Sequence, residues 1–134
     1  MPEITPGATA FVPVTDQDDA VDFFVGALGL EKLADFVYGD AQRWVEVGPP
    51  GGLLRIAVTR RDDTRTGVET GLAFGTPDIE QAHTELEAGG ASVDAIIREG
   101  DPAVEWAGAT LAGTPPMFVF RDPDGNSFLL TQVQ

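Results

Sequence analysis

The residues able to do chemistry in this chain are few. The sequence contains no cysteine and one histidine, His83. A disulfide framework, a thiolate metal site and a cysteine nucleophile are therefore excluded, as is a zinc site built from several histidines. His83 falls within a predicted helix, and we interpret it as a partly exposed helical residue rather than a catalyst. Asp122 and Asp124 lie in an Asp-Pro-Asp-Gly-Asn segment, which indicates a turn shaped by Asx-type hydrogen bonds rather than acid–base work.

The charge balance limits the partners of the protein. Eight Lys and Arg against 22 Asp and Glu give a net charge of −14. Such a chain lacks the basic surface that binds a phosphate backbone, so we expect neither nucleic acid nor an anionic membrane as partner. No stretch approaches the roughly 20 apolar residues of a membrane span, and no signal-peptide pattern is present. We therefore expect a cytoplasmic protein, for which cationic or neutral ligands remain open.

The first half of the chain predicts one helix among four strands. Apolar residues three and four positions apart predict an amphipathic helix over residues 17–28, with Asp16 as its N-cap and Gly29 as its left-handed end. The predicted strands, taken from short alternating runs, span residues 9–14, 33–38, 43–47 and 53–59.

The second half repeats this order after a charged connector, residues 60–65. Asp78 predicts the N-cap of a helix that runs to about Ala88, and Gly89 and Gly90 end it. The predicted strands of this half span residues 72–74, 93–97, 117–121 and 127–131.

The two halves align as copies of one β-α-β-β-β module. Helix residues match at an offset of 62 and the last two strands at an offset of 74, so the second copy has an extra loop over residues 99–116. Long loops in compact domains are frequently binding elements. We expect a single domain, 1–134, made of modules at about 5–62 and 67–134.

Two segments resemble the vicinal oxygen chelate superfamily, which includes glyoxalase I, extradiol dioxygenases, fosfomycin-resistance enzymes and bleomycin-resistance proteins. One is the closing hairpin Phe-Arg-Asp-Pro-Asp-Gly-Asn at residues 120–126. The other is the opening strand–helix unit over residues 14–30. The resemblance implies an α+β fold in which two βαβββ modules curl into an incomplete barrel around a ligand cleft.

Metal-using members of this superfamily place His, Gln or Glu at four positions in the cleft. These positions fall here on Thr9, Arg55, Gly71 and Leu129. None is a plausible ligand for a divalent ion, and one is a cation. We therefore expect no metal and no other cofactor at the site of the family.

The same four positions, with the two-residue period of strands, predict which side chains face the cleft. The opposite faces come out apolar, which supports this register. The predicted ligand-binding residues are Phe11, Trp44, Glu46, Arg55, Trp106, Phe118 and Phe120. Each aromatic ring could instead only fill the barrel, and Glu46 and Arg55 could simply satisfy each other as an ion pair.

Two functions follow from this set. The first is a metal-independent binding protein of the glyoxalase/bleomycin-resistance type that takes an aromatic or cationic ligand, with antibiotic sequestration and resistance as one form of that role. The second is a glyoxalase-like isomerase or lyase in which Glu46 is the general base and Arg55 polarises an oxyanion. Arg55 should depress the pKa of Glu46 and weaken it as a base, which favours binding.

Relatives of this size commonly form homodimers, sometimes by exchanging an N-terminal segment. Pro6 and Gly7 are an ambiguous hinge for such an exchange. We expect a homodimer.

Overall fold

The computed structural model describes residues 1–61 and 65–134. The chain forms two compact units, Met1–Thr64 and Arg65–Gln134. Each unit contains a four-stranded open sheet and one principal helix. The predicted α+β class with one βαβββ order in each half is confirmed. Part of the predicted connector, residues 62–64, lies outside the described residues.

The first unit follows the predicted element order closely. The elements are β1 (Ala8–Val14), α1 (Gln17–Val21), a π-helical segment (Asp22–Ala27), β2 (Glu31–Tyr38), β3 (Gln42–Gly48) and β4 (Leu54–Arg60). Strand β1 pairs in parallel with β4, whereas β3 is antiparallel to both β4 and β2, so the order across the sheet is β1-β4-β3-β2.

The helix of the first unit differs from the single α-helix predicted over residues 17–28. Asp16 caps it as predicted, accepting from the Asp19 N–H at 2.9 Å. Past α1 the chain widens into the π-helical segment, whose end is marked by a bond of 3.1 Å from the Leu28 N–H to the Phe23 carbonyl, five residues back. The wider turn buries the consecutive rings of Phe23 and Phe24 together. Apolar spacing did not reveal it, because both helix types bury the same residues.

One face of the first sheet forms the core of its unit. Alternate side chains of β1, β3 and β4 point to this face and are almost completely buried. They are Val12, Val14, Val45, Val47, Ile56 and Val58. This is the predicted apolar face, and its strict alternation leaves the other set of side chains on the opposite face.

The elements of the second unit are β5 (Glu69–Thr76), α2 (Ile79–Ala88), β6 (Ser92–Val93), β7 (Val104–Trp106), β8 (Ala109–Leu111), β9 (Met117–Arg121) and β10 (Ser127–Gln132). The strand order is β5-β10-β9-β6, with β5 parallel to β10. Strand β6 is shorter than the predicted 93–97, because the chain leaves the sheet after two residues and returns only at an Arg98–Met117 bridge. Strands β7 and β8 form a hairpin inside the loop predicted over residues 99–116.

Candidate functional site

The open face of the first sheet carries most of the predicted site. The strand register places Phe11, Ala57, Glu46 and Ala34 in one row across all four strands. Arg55 lies beside Thr9 in the adjacent row of β1 and β4. The structure thus brings four of the predicted binding residues, Phe11, Trp44, Glu46 and Arg55, onto one surface.

Four aromatic side chains, Phe11, Phe36, Tyr38 and Trp44, cover this surface, which we call the aromatic face. Ring centroids lie 5.7 Å apart for Phe11 and Trp44 and 6.4 Å apart for Tyr38 and Trp44, both pairs edge to face. Phe11 is 63% exposed and Phe36 is 52% exposed. Large apolar side chains grouped on a surface in this way mark a binding region.

Sequence reasoning missed Phe36 and Tyr38. Both lie in the predicted strand over residues 33–38, and the period of two puts them on one face of it. The register that pairs Phe36 with Trp44 shows that this face is the aromatic one. The alternation was visible in the sequence, but the pairing of β2 with β3 that decides the face was not.

Glu46 is held by two neighbours on the aromatic face. Trp44 Nε1 donates to Glu46 Oε1 at 2.7 Å, and Arg55 Nε donates to Glu46 Oε2. Burial alone raises the pKa of Glu46, but the two hydrogen bonds and the charge of Arg55 outweigh it, and the pKa lies below its ordinary value. The Glu46 side chain is 12% exposed, whereas that of Arg55 is 45% exposed.

This arrangement suits binding better than proton transfer. A carboxylate with a lowered pKa is a weak general base, and each oxygen of Glu46 already accepts a hydrogen bond. The pair therefore anchors the Trp44 indole in one orientation, which keeps the aromatic face preformed.

A cavity of about 500 Å³ opens next to the aromatic face. Its lining includes Phe11, Gln17, Tyr38, Arg43, Trp44 and Arg60. The volume is within the range of small-molecule sites, and the combination of ring walls with a few polar groups is typical of them.

Phe118 and Phe120 are not placed as predicted. The prediction put both rings on the cleft side, but they lie on the helix side of the second sheet, 1% and 0% exposed. Phe118 contacts His83 of α2 at a centroid distance of 4.8 Å, and Phe120 stacks on Phe128 at 5.4 Å. The offset of 74 aligns Phe118 with Trp44, yet these two residues point to opposite sides of their sheets, so the alignment is out of step at this strand.

Trp106 covers the face of the second sheet that is opposite α2. It is buried with Met117 and Leu129, and its Nε1 donates to Ser127 Oγ at 2.8 Å. The hairpin of β7 and β8 carries it there. Trp106 therefore packs in the core of its own unit, and a role in ligand binding stays a prediction.

A model of the Glyoxalase/Bleomycin resistance protein/Dioxygenase superfamily matches residues 7–130 of the chain. The chain belongs to this superfamily. A superfamily member from Sphaerobacter thermophilus DSM 20745 is 30% identical, with a TM-score of 0.75 over 97% of this chain and 98% of that one. TnmS3, an antibiotic-binding protein from Streptomyces sp. CB03234, is 29% identical, with a TM-score of 0.73 over the whole of both chains.

A third similar structure is the bleomycin-binding protein from bleomycin-producing Streptomyces verticillus, complexed with copper(II)-bleomycin. It is 24% identical, with a TM-score of 0.62 over the whole of both chains. At that identity the likeness shows the fold alone. This chain has the glyoxalase/bleomycin-resistance fold, and its superfamily includes proteins that bind antibiotics.

The four positions that the resemblance assigns to metal ligands do not fit a divalent ion in this member. Thr9 and Arg55 are register neighbours on the first sheet, so a fixed cation adjoins the hydroxyl. Leu129 has Ala73 beside it, because the register of β10 shifts, and Gly71 lies in the left-handed region at φ +73°. These four residues supply no carboxylate and no imidazole. In residues 1–61 and 65–134, no three His, Asp or Glu side chains form a metal-binding group.

The described residues contain no helix with the length and apolar content needed to cross a membrane.

Proposed function

We propose that this protein binds a planar aromatic small molecule on the aromatic face and in the adjoining cavity, without converting it chemically. The observation that carries the proposal is the group of exposed rings bordering the 500 Å³ cavity. Stacking on preformed rings favours a flat ligand, since the rings lose little conformational freedom on binding.

We further propose that the ligand is an antibiotic-like ring compound. TnmS3, which is 29% identical to this chain, is an antibiotic-binding protein, and this supports sequestration as the role. Sequestration requires affinity alone. The engagement of both oxygens of Glu46 supports a protein without acid–base chemistry over the isomerase or lyase alternative.

A cationic ligand fits the charge of the chain. The net charge of −14 attracts cations over long range, and the faces of aromatic rings attract a cation at short range. Arg43 in the cavity wall forms ion pairs with Asp18 and Asp35, both at 2.8 Å. These two carboxylates offset its charge, so Arg43 repels a cationic ligand less than an unpaired arginine would.

The proposal is tested with proflavine, a planar cationic acridine whose own fluorescence anisotropy reports binding. Wild-type protein should bind it at micromolar concentration. Phe11→Ala should weaken binding roughly tenfold, because it removes one ring of the face, worth about 1–1.5 kcal/mol beyond simple burial. Val25→Ala is the matched control, since Val25 is an exposed apolar residue of the π-helical segment.

Three outcomes would count against the proposal in different ways. No binding of proflavine or of acridone, a neutral planar relative, would reject an aromatic ligand. Tighter binding of acridone than of proflavine would reject the preference for a cation. Equal losses in Phe11→Ala and Val25→Ala would place binding away from the aromatic face.

We also propose that the protein is a homodimer, supported by the exposed apolar residues of β2, Phe36 and Val37. Strand β2 is an edge of its sheet and pairs only with β3. Edge strands with exposed apolar side chains are prone to pairing with another chain. A cytoplasmic location stays a prediction.

A further inference from the structure

Gln17 occupies the place where two strands of the first sheet separate. Strands β3 and β4 pair only through Glu46 with Ala57 and Val47 with Ile56. Beyond these pairs Gln17 Nε2 donates to the carbonyl of Arg43 in β3 at 3.0 Å and to the carbonyl of Val58 in β4 at 2.9 Å. The side-chain amide thus bridges the gap that the cavity occupies.

These two bonds determine the orientation of the amide. Reversing it would set Gln17 Oε1 against two carbonyl oxygens, which cannot donate a hydrogen bond to it. The nitrogen is therefore committed to the backbone, and Oε1 is available. Within residues 1–61, Oε1 accepts no hydrogen bond from another residue, and no unpartnered polar side-chain atom of the described chain is fully buried. A ligand or solvent can therefore reach this acceptor.

We propose that Gln17 is a specificity-determining residue, which makes the cavity a subsite for an N–H or O–H donor carried on the aromatic ring system of the ligand. This inference rests on the proposed function, because it concerns which aromatic ligands the site prefers. A ligand with such a donor pairs with Gln17 Oε1. A ligand without such a donor displaces solvent from Gln17 Oε1 and leaves this oxygen without a hydrogen bond, which lowers the affinity of that ligand.

The test compares two dyes with the same acridine ring and the same charge. Proflavine carries two –NH₂ groups, whereas in acridine orange both are dimethylated and cannot donate. The two cations share the ring N–H, so the comparison concerns the exocyclic donors. The fluorescence anisotropy of each dye gives its dissociation constant. We expect wild-type protein to prefer proflavine by roughly fivefold, the contribution of one hydrogen bond.

Three variants isolate the contribution of Gln17. Gln17→Met removes the acceptor at nearly constant size, and Gln17→Lys removes the acceptor while its ammonium still donates to both carbonyls. In both variants the preference should fall to the part set by the N-methyl groups of acridine orange alone. Gln81→Met, a change of an exposed glutamine of α2 that is not part of the cavity lining, should keep the wild-type preference. Gln17→Lys keeps the test valid if Gln17→Met does not fold.

The results separate the two proposals. The same dye preference in wild type and Gln17→Lys, with both dyes bound, would overturn the role of Gln17 and leave the aromatic site standing. Failure of the wild type to bind either dye would reject the proposed function and this inference with it. Loss of the preference in Gln81→Met as well would also overturn the assignment to Gln17.

Discussion

At the scale of single residues, the hydrogen-bond partners of Glu46 determine the pKa of its carboxylate and therefore how well it can act as a base. Its two oxygens accept from Trp44 and Arg55, so the charged form is stabilised and the pKa lies below its ordinary value of 4.5. A group with a lowered folded-state pKa contributes stability above the unfolded-state pKa and loses it as the pH falls through the folded-state value. The anchoring of Trp44 should therefore persist at neutral pH and fail in acid.

Tryptophan fluorescence should report this change directly. As the pH falls, protonation of Glu46 weakens the bond from Trp44 Nε1, and the emission should change with a midpoint below 4.5. In Glu46→Gln that transition should be absent, since no carboxylate titrates beside the indole. A midpoint at or above 4.5, or an unchanged transition in Glu46→Gln, would contradict the arrangement.

At the scale of elements, the hairpin of β7 and β8 explains why one face of the second sheet is buried whereas the aromatic face of the first sheet is exposed. In the second unit it delivers Trp106 to Met117 and Leu129, and the indole N–H is satisfied by Ser127. In the first unit no described element carries a side chain of this kind onto the aromatic face, which remains exposed at Phe11 and Phe36. Twelve additional residues in the second copy therefore bury a sheet face whose counterpart in the first copy stays exposed.

Removal of this tryptophan should be costly for stability. Trp106→Ala should lower the free energy of unfolding by about 3–5 kcal/mol, as for other buried aromatic side chains. Ser127→Ala removes only the hydrogen-bond acceptor and should cost about 1–3 kcal/mol, because the indole N–H is left unsatisfied. Urea denaturation followed by circular dichroism measures both. A loss in Trp106→Ala no larger than that in Ser127→Ala would mean that the hairpin is not packed as described.

At the scale of the whole molecule, the acidic charge acts over a longer range than any contact in the site. A net charge of −14 attracts a cationic ligand through solvent, and salt screens this attraction. Contacts between rings are insensitive to salt. The two contributions can therefore be separated by ionic strength.

The affinity for proflavine should fall severalfold between about 0.01 M and 1 M NaCl, as the screening length shrinks from about 30 Å to about 3 Å. Acridone carries no charge and should change little over the same range. Equal salt dependence for the two probes would argue against long-range attraction of cations.

The assembly state is the other property of the whole molecule that can be checked. Light scattering should give twice the chain mass of 14.2 kDa. Val37→Lys places a charge on the exposed edge strand and should weaken the dimer at least tenfold. Val25→Lys, with its change on the π-helical segment instead, should leave the dimer intact. A wild-type monomer at tens of micromolar would reject the homodimer.

The order of the elements and the core face of the first sheet could be predicted from the sequence because they depend on local signals. Asp16 and Asp78 cap helices where the sequence predicts, since an N-cap needs only its own first turn. The alternation in β1 and β4 decides which side chains are buried once one position is known. Asp122 shapes the predicted turn, accepting from the N–H groups of Asp124 and Asn126.

The site depended on relations between strands, which the sequence records only weakly. The membership of Phe36 and Tyr38 in the aromatic face follows from the pairing of β2 with β3, and a shift of one residue sends Phe118 and Phe120 to the opposite side of their sheet. The amide of Gln17 acquires its orientation only because β3 and β4 separate above it. Composition thus determined the absence of thiol chemistry, local periodicity determined the order of the elements, and the resemblance of two segments indicated the family of folds. Strand register, a property of distant segments in contact, decided which side chains meet.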